Sequence, residues 1–227
     1  MYRLYILILA GLIAGALGCG KNPSFDALVA TAPELVLPLT VAGTYDAGTN
    51  TMGDITFAQR GIDPYAVEVD DGQGNRKRLP DIQFYITSSA EVICSAYGTV
   101  IQKYKNPRDD DYEILIQINL HYKLVYDHVT NCPWNVGDSL KPGDILGNGG
   151  PVDDTYYPGV RRVEWGVRKS PDISHIGWSH NPVAFLINDS DKQLLENVVA
   201  QANALGYRDA DGNPYTGIAY LEEMSGR

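Results

Sequence analysis

The chain is poor in the residues that bind metals or form disulfides, with four histidines and three cysteines among its 227 residues. This small set restricts any zinc site or disulfide to a few positions. Positive charge is also scarce, because 18 Lys and Arg stand against 28 Asp and Glu and give a formal net charge of −10. The phosphate backbone repels so acidic a chain, and we therefore expect no nucleic-acid partner.

Long hydrophobic runs are absent after the first 18 residues, so the rest of the sequence contains no candidate transmembrane helix. Residues 1–18 combine one cation, an apolar run over 4–17 and a small residue at the end, which are the three parts of an export signal. The apolar run is shorter than the roughly 20 residues that a spanning helix needs. We therefore interpret residues 1–18 as a signal peptide.

The residue that follows this segment predicts a lipid anchor. Gly18 directly before Cys19 resembles the signal of bacterial lipoproteins, in which the cysteine is acylated after cleavage, although Ala16 stands where leucine is usual. We expect a lipid at Cys19 that holds the protein on a membrane, followed by a tether over residues 19–43. Ordinary secretion and an uncleaved anchor are the alternatives.

The two other cysteines allow two interpretations. Cys94 and Cys132 could form a disulfide in the oxidising compartment that an export signal implies. Alternatively, Cys94 is a small core residue, because it follows the apolar pair Val92–Ile93.

Runs of β-branched and aromatic residues, separated by Gly and Pro, predict a mainly β domain over residues 44–187. These strands do not alternate with long helices, which argues against a doubly wound α/β fold. One convincing helix follows, with Ser190 as its cap and apolar residues at helical spacing up to Gly206. We assign residues 188–227 to this C-terminal helix and a tail.

Two Gly-Asp steps, six residues apart, predict a tight reversal of the chain. They are Gly137-Asp138 and Gly143-Asp144, with Pro142 beside the second. Glycine permits the positive φ that such turns need, and proline presets φ. Residues 136–147 resemble a turn shared by lipoyl carriers and by lysostaphin-type (LytM-like) peptidoglycan metallopeptidases.

The flanking segments resemble the peptidases and not the carriers, which are shorter and need a lysine at the hairpin tip. The matching segments are, in chain order, 91–100, 124–129, 162–167 and 181–186. The resemblance spans roughly residues 79–186. It implies a lysostaphin-type duplicated hybrid motif, which is an open antiparallel β-sandwich or barrel.

The same resemblance implies hydrolysis of wall peptides with one zinc ion, held by an H-x-x-x-D motif and by the last histidine of an H-x-H motif. In this chain Leu79 or Pro80 replaces the first histidine, and Gln83 replaces the aspartate. Asp81 lies close enough for a slip in register to place it at the ligand position. No histidine lies upstream to complete the motif.

The second motif is also altered, because Arg162 and Glu164 stand in place of the two histidines of H-x-H. Residues i and i+2 of a strand share a face, so both side chains should point toward the expected zinc position. Glu164 could bind a metal, whereas arginine cannot. His128 alone occupies a family position as histidine, where the family uses it to assist the water. We expect Arg162 and Glu164 to form a charge pair near His128, the alternative being that both are exposed and unpaired.

The remaining candidates for a metal site are weak. His121, His175 and His180 lack the spacing of ligands on one element. The acidic runs 109–111, with Glu113, and 153–154 could bind calcium but are typical of solvated loops, and 209–213 is typical of a turn. We therefore predict no bound metal and no cofactor, although the family would carry zinc.

These observations predict a lipoprotein of the bacterial cell envelope, either periplasmic or exposed at the surface. Its degenerate peptidase site, made of Gln83, His128, Arg162 and Glu164, should be non-catalytic. It should bind peptidoglycan peptides or an envelope protein, for example by regulating a wall hydrolase. The alternatives are an active zinc endopeptidase with a rearranged site and a structural subunit of an envelope assembly.

Overall fold

Extended chain dominates the structure, as the β-branched and aromatic runs predict. In this computed structural model the described residues are 31–70, 74–152, 155–170 and 178–217. Their strands are β1 (Thr51–Met52), β2 (Ile55–Thr56), β3 (Ile62–Asp63), β4 (Glu68–Asp70), β5 (Arg76–Arg78), β6 (Ile82–Thr87), β7 (Glu91–Ile93), β8 (Gly98–Lys105), β9 (Tyr112–Gln117), β10 (Tyr122–Thr130), β11 (Ser139–Leu140), β12 (Ile145–Pro151), β13 (Val160–Lys169) and β14 (Trp178–His180). The predicted signal peptide, Cys19 and residues 19–30 of the predicted tether lie outside the described residues.

Twelve of these strands form one sheet, in the order β1-β2-β6-β13-β12-β10-β9-β8-β11. In addition, β10 and β14 pair with β13, β3 pairs with β6, and β7 pairs with β12. Neighbouring strands are antiparallel. β4 and β5 form a separate hairpin. The predicted mainly β fold class, with an antiparallel sheet and a C-terminal helix, is confirmed.

The sheet has one apolar face that builds the core. Along β13, Val163, Trp165 and Val167 are fully buried and alternate with polar or small residues. Phe84, on the neighbouring β6, packs its ring against that of Trp165, with ring centroids 6.5 Å apart. Because side chains alternate along a strand, the residues between these positions lie on the opposite face.

The reversal predicted at residues 136–147 is present. Gly137 and Gly143 both have positive φ, at 99° and 88°. The side chains of Asp138 and Asp144 accept hydrogen bonds from backbone N–H groups three residues earlier, at 2.7 Å and 2.9 Å. These contacts fix two turns on either side of the short strand β11.

Four residues of the predicted tether contribute to the hydrophobic core. Leu35, Leu37, Leu39 and Val41 are buried in the hydrophobic core. The backbone of Leu35 forms an isolated parallel bridge with Leu186. Alternating leucines are therefore a strand-like signal at this end of the domain.

The helix α1 spans Asp189–Ala204 and buries the predicted apolar face, including Leu195 and Val198. The N-cap position is Asn188, so the prediction of Ser190 as the cap is wrong. Asp189 and Asp191 lie in the first turn, where negative charge is favourable near the helix N-terminus. The helix ends before Gly206, which has a φ of 91°.

Cys94 and Cys132 are free thiols, and both are buried. Burial raises the pKa of the Cys94 thiol to about 11, so it remains protonated. The burial of Cys94 matches its interpretation as a core residue. Among the described residues, no helix combines the length and the apolar character that crossing a membrane would need.

Candidate functional site

A row of polar side chains crosses the sheet on the face opposite the core. Asp63 of β3 is paired with Gln83 of β6, Gln83 with Glu164 of β13, and Glu164 with Asp127 of β10. Directly paired residues of antiparallel strands place their side chains on the same face. We call these four residues the polar row. Strand register therefore brings together positions that are 101 residues apart in sequence, from Asp63 to Glu164.

Gln83 and Glu164 form the centre of the polar row. The Gln83 amide donates a hydrogen bond to Glu164 Oε1. Both side chains are buried, with exposures of 7% and 8%. Burial raises the pKa of Glu164, and the charge of Asp81 acts in the same direction, whereas the charges of His128 and Arg162 lower it. The Glu164 carboxyl group is thus largely removed from water and accepts a hydrogen bond from the Gln83 amide instead.

His128 lies at an irregularity of β10, where the register with β9 shifts. Its φ is 60°, a left-handed backbone conformation that a histidine rarely adopts. The bulge turns the ring so that Nδ1 lies 2.7 Å from Asp111 Oδ2, while Nε2 lies 2.6 Å from Arg162 Nη2. A guanidinium only donates, so Nε2 accepts and the ring proton is on Nδ1, where it is donated to Asp111.

The predicted charge pair of Arg162 with Glu164 does not form, because the His128 ring lies between the two side chains. The two side chains share a face of β13, as expected from their spacing, and Arg162 donates to the ring. Glu164 Oε1 is 3.7 Å from the same Nε2 atom. Within the described part of the chain, Arg162 and Glu164 form no direct ion pair. They interact electrostatically across the imidazole, and the four predicted site residues lie in one cluster.

Asp81 is held away from this cluster by Arg168. The guanidinium forms a two-point contact with the carboxylate, of which the Nη2–Oδ2 distance is 2.6 Å. Both residues are buried. The pair lies over Gly166, because a Cβ atom there would overlap with Asp81 Oδ1. Asp81 therefore does not replace the missing metal ligand.

The residues at the zinc positions of the resembled family do not fit a zinc ion. Leu79 is an apolar residue with 2% exposure. Gln83 and Glu164, which replace two ligands, bond to each other. The positive charge of Arg162 lies against His128 Nε2 and opposes a dication on that side of the ring, where Glu164 also lies.

A buried tyrosine cluster extends the polar row beyond β6. Asp63, with 1% exposure, accepts hydrogen bonds from Tyr85 at 3.2 Å and Tyr215 at 2.7 Å. Arg60 lies 3.5 Å from the same carboxylate. Burial raises the pKa of both tyrosines, which keeps their hydroxyl groups as donors. Sequence reasoning missed Asp63 and Tyr215, since no local motif links residues so far apart.

The other candidate residues are distributed elsewhere. His121 Nδ1 lies 2.9 Å from the carbonyl oxygen of Ser170, and the His180 ring packs against Phe185. His175 and residues 153–154 lie outside the described residues. Asp209 accepts backbone N–H bonds from Asp211 and Asn213, which confirms a plain turn.

The acidic run 109–111 divides into three environments. Asp110 is exposed and forms an ion pair with Lys105 at 2.6 Å. Asp109 is also exposed, whereas Asp111 is fully buried against His128. The sequence shows Asp111 as part of this acidic run but does not show its partner, because His128 lies on another strand.

Solved structures with a similar fold include peptidases. The catalytic domain of the antimicrobial peptidase lysostaphin from Staphylococcus simulans is 17% identical with a TM-score of 0.41, and the match covers 56% of this chain and 90% of that chain. LytU is 18% identical with a TM-score of 0.43, over 56% and 83% of the two chains. A chain of the SpoIIQ–SpoIIIAH pore-forming complex is 12% identical with a TM-score of 0.43, over 69% and 92%. No family model and no curated protein matches the sequence.

Proposed function

We propose that this chain is a non-catalytic, peptidase-like protein of the bacterial cell envelope that binds a peptide of peptidoglycan at its polar row. One observation carries the proposal: Gln83 and Glu164 bond to each other at two positions where the resembled peptidases hold zinc. The fold is kept while the donors that would bind a catalytic ion are engaged with protein groups.

The loss of catalysis follows from the chemistry of the cluster. A catalytic zinc needs about three protein ligands and a free position for water. Leu79 offers no donor atom, and Arg162 brings a fixed positive charge. Without the ion, no group in the cluster lowers the pKa of an attacking water. His128, the one family histidine that is kept, hydrogen-bonds with Asp111 and Arg162.

Binding is supported by the groups of the cluster that reach solvent. Asp127 of the polar row, whose side chain is 28% exposed, and the half-buried Arg162 beside His128 offer both signs of charge. Wall peptides carry amide groups, free carboxylates and free amino groups. A surface with anionic and cationic groups on a rigid sheet can hydrogen-bond with all three.

We also propose where the protein is located in the cell envelope and which partners it binds. A lipid at Cys19 would hold the domain on a membrane facing the wall. A wall hydrolase or another envelope protein is the second partner that we propose, because a domain that holds a wall peptide can present it to an enzyme. Neither role requires chemistry at the polar row.

Retention on purified peptidoglycan tests the proposal. We expect the protein to sediment with the wall and Arg162→Ala to weaken this retention about tenfold, because a hydrogen bond to a charged group contributes ~1.5–3 kcal/mol. Lys77→Ala removes one positive charge from the exposed strand β5 and serves as the matched control. Equal retention of Arg162→Ala and Lys77→Ala, or no retention of the wild type, would contradict the proposal.

A further inference from the structure

Three side chains beside the polar row offer metal ligands that no zinc peptidase motif predicts. Asp109 and Asp111 precede β9, and His128 lies in the bulge of β10. One ligand atom from each can be chosen so that all three lie within 4.8 Å of one another. Two ligands of one dication are separated by at most about 4–5 Å, since each lies about 2.0–2.6 Å from the ion. A single ion can therefore reach all three.

A second and independent feature is an unsatisfied carboxylate oxygen. Asp111 has 0% exposure, and its Oδ1 atom has no hydrogen-bond partner among the described residues, whereas Oδ2 is engaged with His128. A buried carboxylate oxygen without a donor is unfavourable, because it has lost water and gained nothing. A cation at this place would supply the missing interaction.

The Asp109 side of the site is accessible. Asp109 is exposed and borders a cavity of about 600 Å³, which leaves room for water ligands, while Asp111 and His128 are buried. Gly150 forms the wall next to Asp111, where a Cβ atom would lie 2.6 Å from Oδ2 and 3.0 Å from the carbonyl oxygen of His128. Glycine at this position therefore keeps a Cβ atom from crowding the carboxylate.

We propose that Asp109, Asp111 and His128 bind a divalent transition-metal ion through two carboxylates and Nδ1. One nitrogen and two oxygen donors suit zinc or manganese, whereas calcium prefers oxygen ligands alone. The ion is placed on the Asp111 side of the imidazole. It therefore differs from the position between Gln83 and Glu164 at which the resembled family holds zinc.

Binding moves one proton within the imidazole. Without metal, the proton is on Nδ1 and Arg162 donates to Nε2. When Nδ1 binds the ion, the neutral ring carries its proton on Nε2, where it can no longer accept from the guanidinium. The nearest carboxylate oxygens to Nε2 that can accept a hydrogen bond from it are Glu164 Oε1 at 3.7 Å and Asp127 Oδ2 at 3.8 Å. The ion thus releases Arg162 from His128.

Calorimetric titration of the full chain with zinc tests the site. We expect one bound ion, and Asp109→Asn should weaken binding by at least about tenfold, since even outer-shell partners change metal affinity about 10–100-fold. Asp109 is exposed, so this variant should fold. The matched control is Asp110→Asn in the same loop, which should bind within about twofold of the wild type because Asp110 pairs with Lys105 instead.

Gln83→Ala separates this site from the family position, because it should weaken zinc binding less than Asp109→Asn does. No zinc binding, equal binding by Asp109→Asn and the wild type, or a loss in Gln83→Ala alone would overturn the proposal. Nuclear magnetic resonance of the His128 ring nitrogens should report the shift of the proton from Nδ1 to Nε2, and a proton that stays on Nδ1 would overturn it as well. These measurements read metal and protons, so they are independent of wall binding.

Discussion

Gly166 illustrates at the scale of one residue how the sheet accommodates buried charge. The Asp81–Arg168 pair lies over this glycine, and any side chain there would meet Asp81 Oδ1. We predict that Gly166→Ala lowers the free energy of unfolding by about 3–5 kcal/mol, the usual cost of breaking a buried ion pair. Unfolding in urea, followed by circular dichroism, measures the change.

The matched control for this prediction is Gly43→Ala. A Cβ atom at Gly43 would lie 3.4 Å from a methyl carbon of Leu194, which is an ordinary contact. We expect a change of less than about 1 kcal/mol. Equal stability of the two alanine variants would show that the close approach at Gly166 does not constrain the Asp81–Arg168 pair.

A second prediction for a single residue concerns the effect of Glu164 on the pH dependence of folding stability. Burial is the main reason that its pKa is raised in the folded protein. A raised carboxyl pKa means that the folded state binds the proton more tightly than the unfolded state, so this contribution to stability is present at low pH and is lost as the pH rises through the folded pKa.

The variant Glu164→Gln should lack this dependence, since its side chain can still accept from Gln83 but does not ionise. The free energy of unfolding of Glu164→Gln relative to the wild type should therefore increase between about pH 4 and about pH 8. Urea unfolding across this range provides the measurement. A difference that is constant or decreases with pH would contradict the assignment of Glu164 as a destabilised carboxylate.

The helix α1 carries the prediction at the scale of secondary-structure elements. Leu195 is fully buried, whereas Leu205, at the end of the helix, is 42% exposed. Leu195→Ala should lower the free energy of unfolding by about 2–5 kcal/mol through lost burial and a cavity, and Leu205→Ala by clearly less. Similar effects in thermal or urea unfolding would indicate that the helix does not pack through the Leu195 face.

At the same scale, sequence periodicity predicted some elements and missed others for physical reasons. The i, i+2 spacing of Arg162 and Glu164 correctly indicated a shared face, because alternation is a local property of a strand. The bulge at His128 has no such signal, since a positive φ at a histidine depends on its tertiary contacts with Asp111 and Arg162. Leu35, Leu37 and Leu39 lie inside the predicted tether, and their burial could not be predicted because it depends on contacts with the rest of the core.

For the molecule as a whole, the composition and the turn motifs were sufficient to predict a mainly β domain with one C-terminal helix. The candidate site could be predicted in part, because Gln83, Arg162 and Glu164 follow from the family motifs. Asp63 and Asp111 could not, because each joins the site through strand pairing or a bulge and not through sequence proximity. From the acidity of the chain we expect only that it is soluble and that its partner is not a nucleic acid.

The central claim is that a peptidase-like sheet binds the cell wall without cleaving it. Incubation of purified peptidoglycan with the protein and added zinc, followed by quantification of newly released amino groups, tests it most directly. We expect no release above a protein-free blank, while the protein itself is retained on the wall. Release that increases with zinc and is abolished by Glu164→Gln would contradict it.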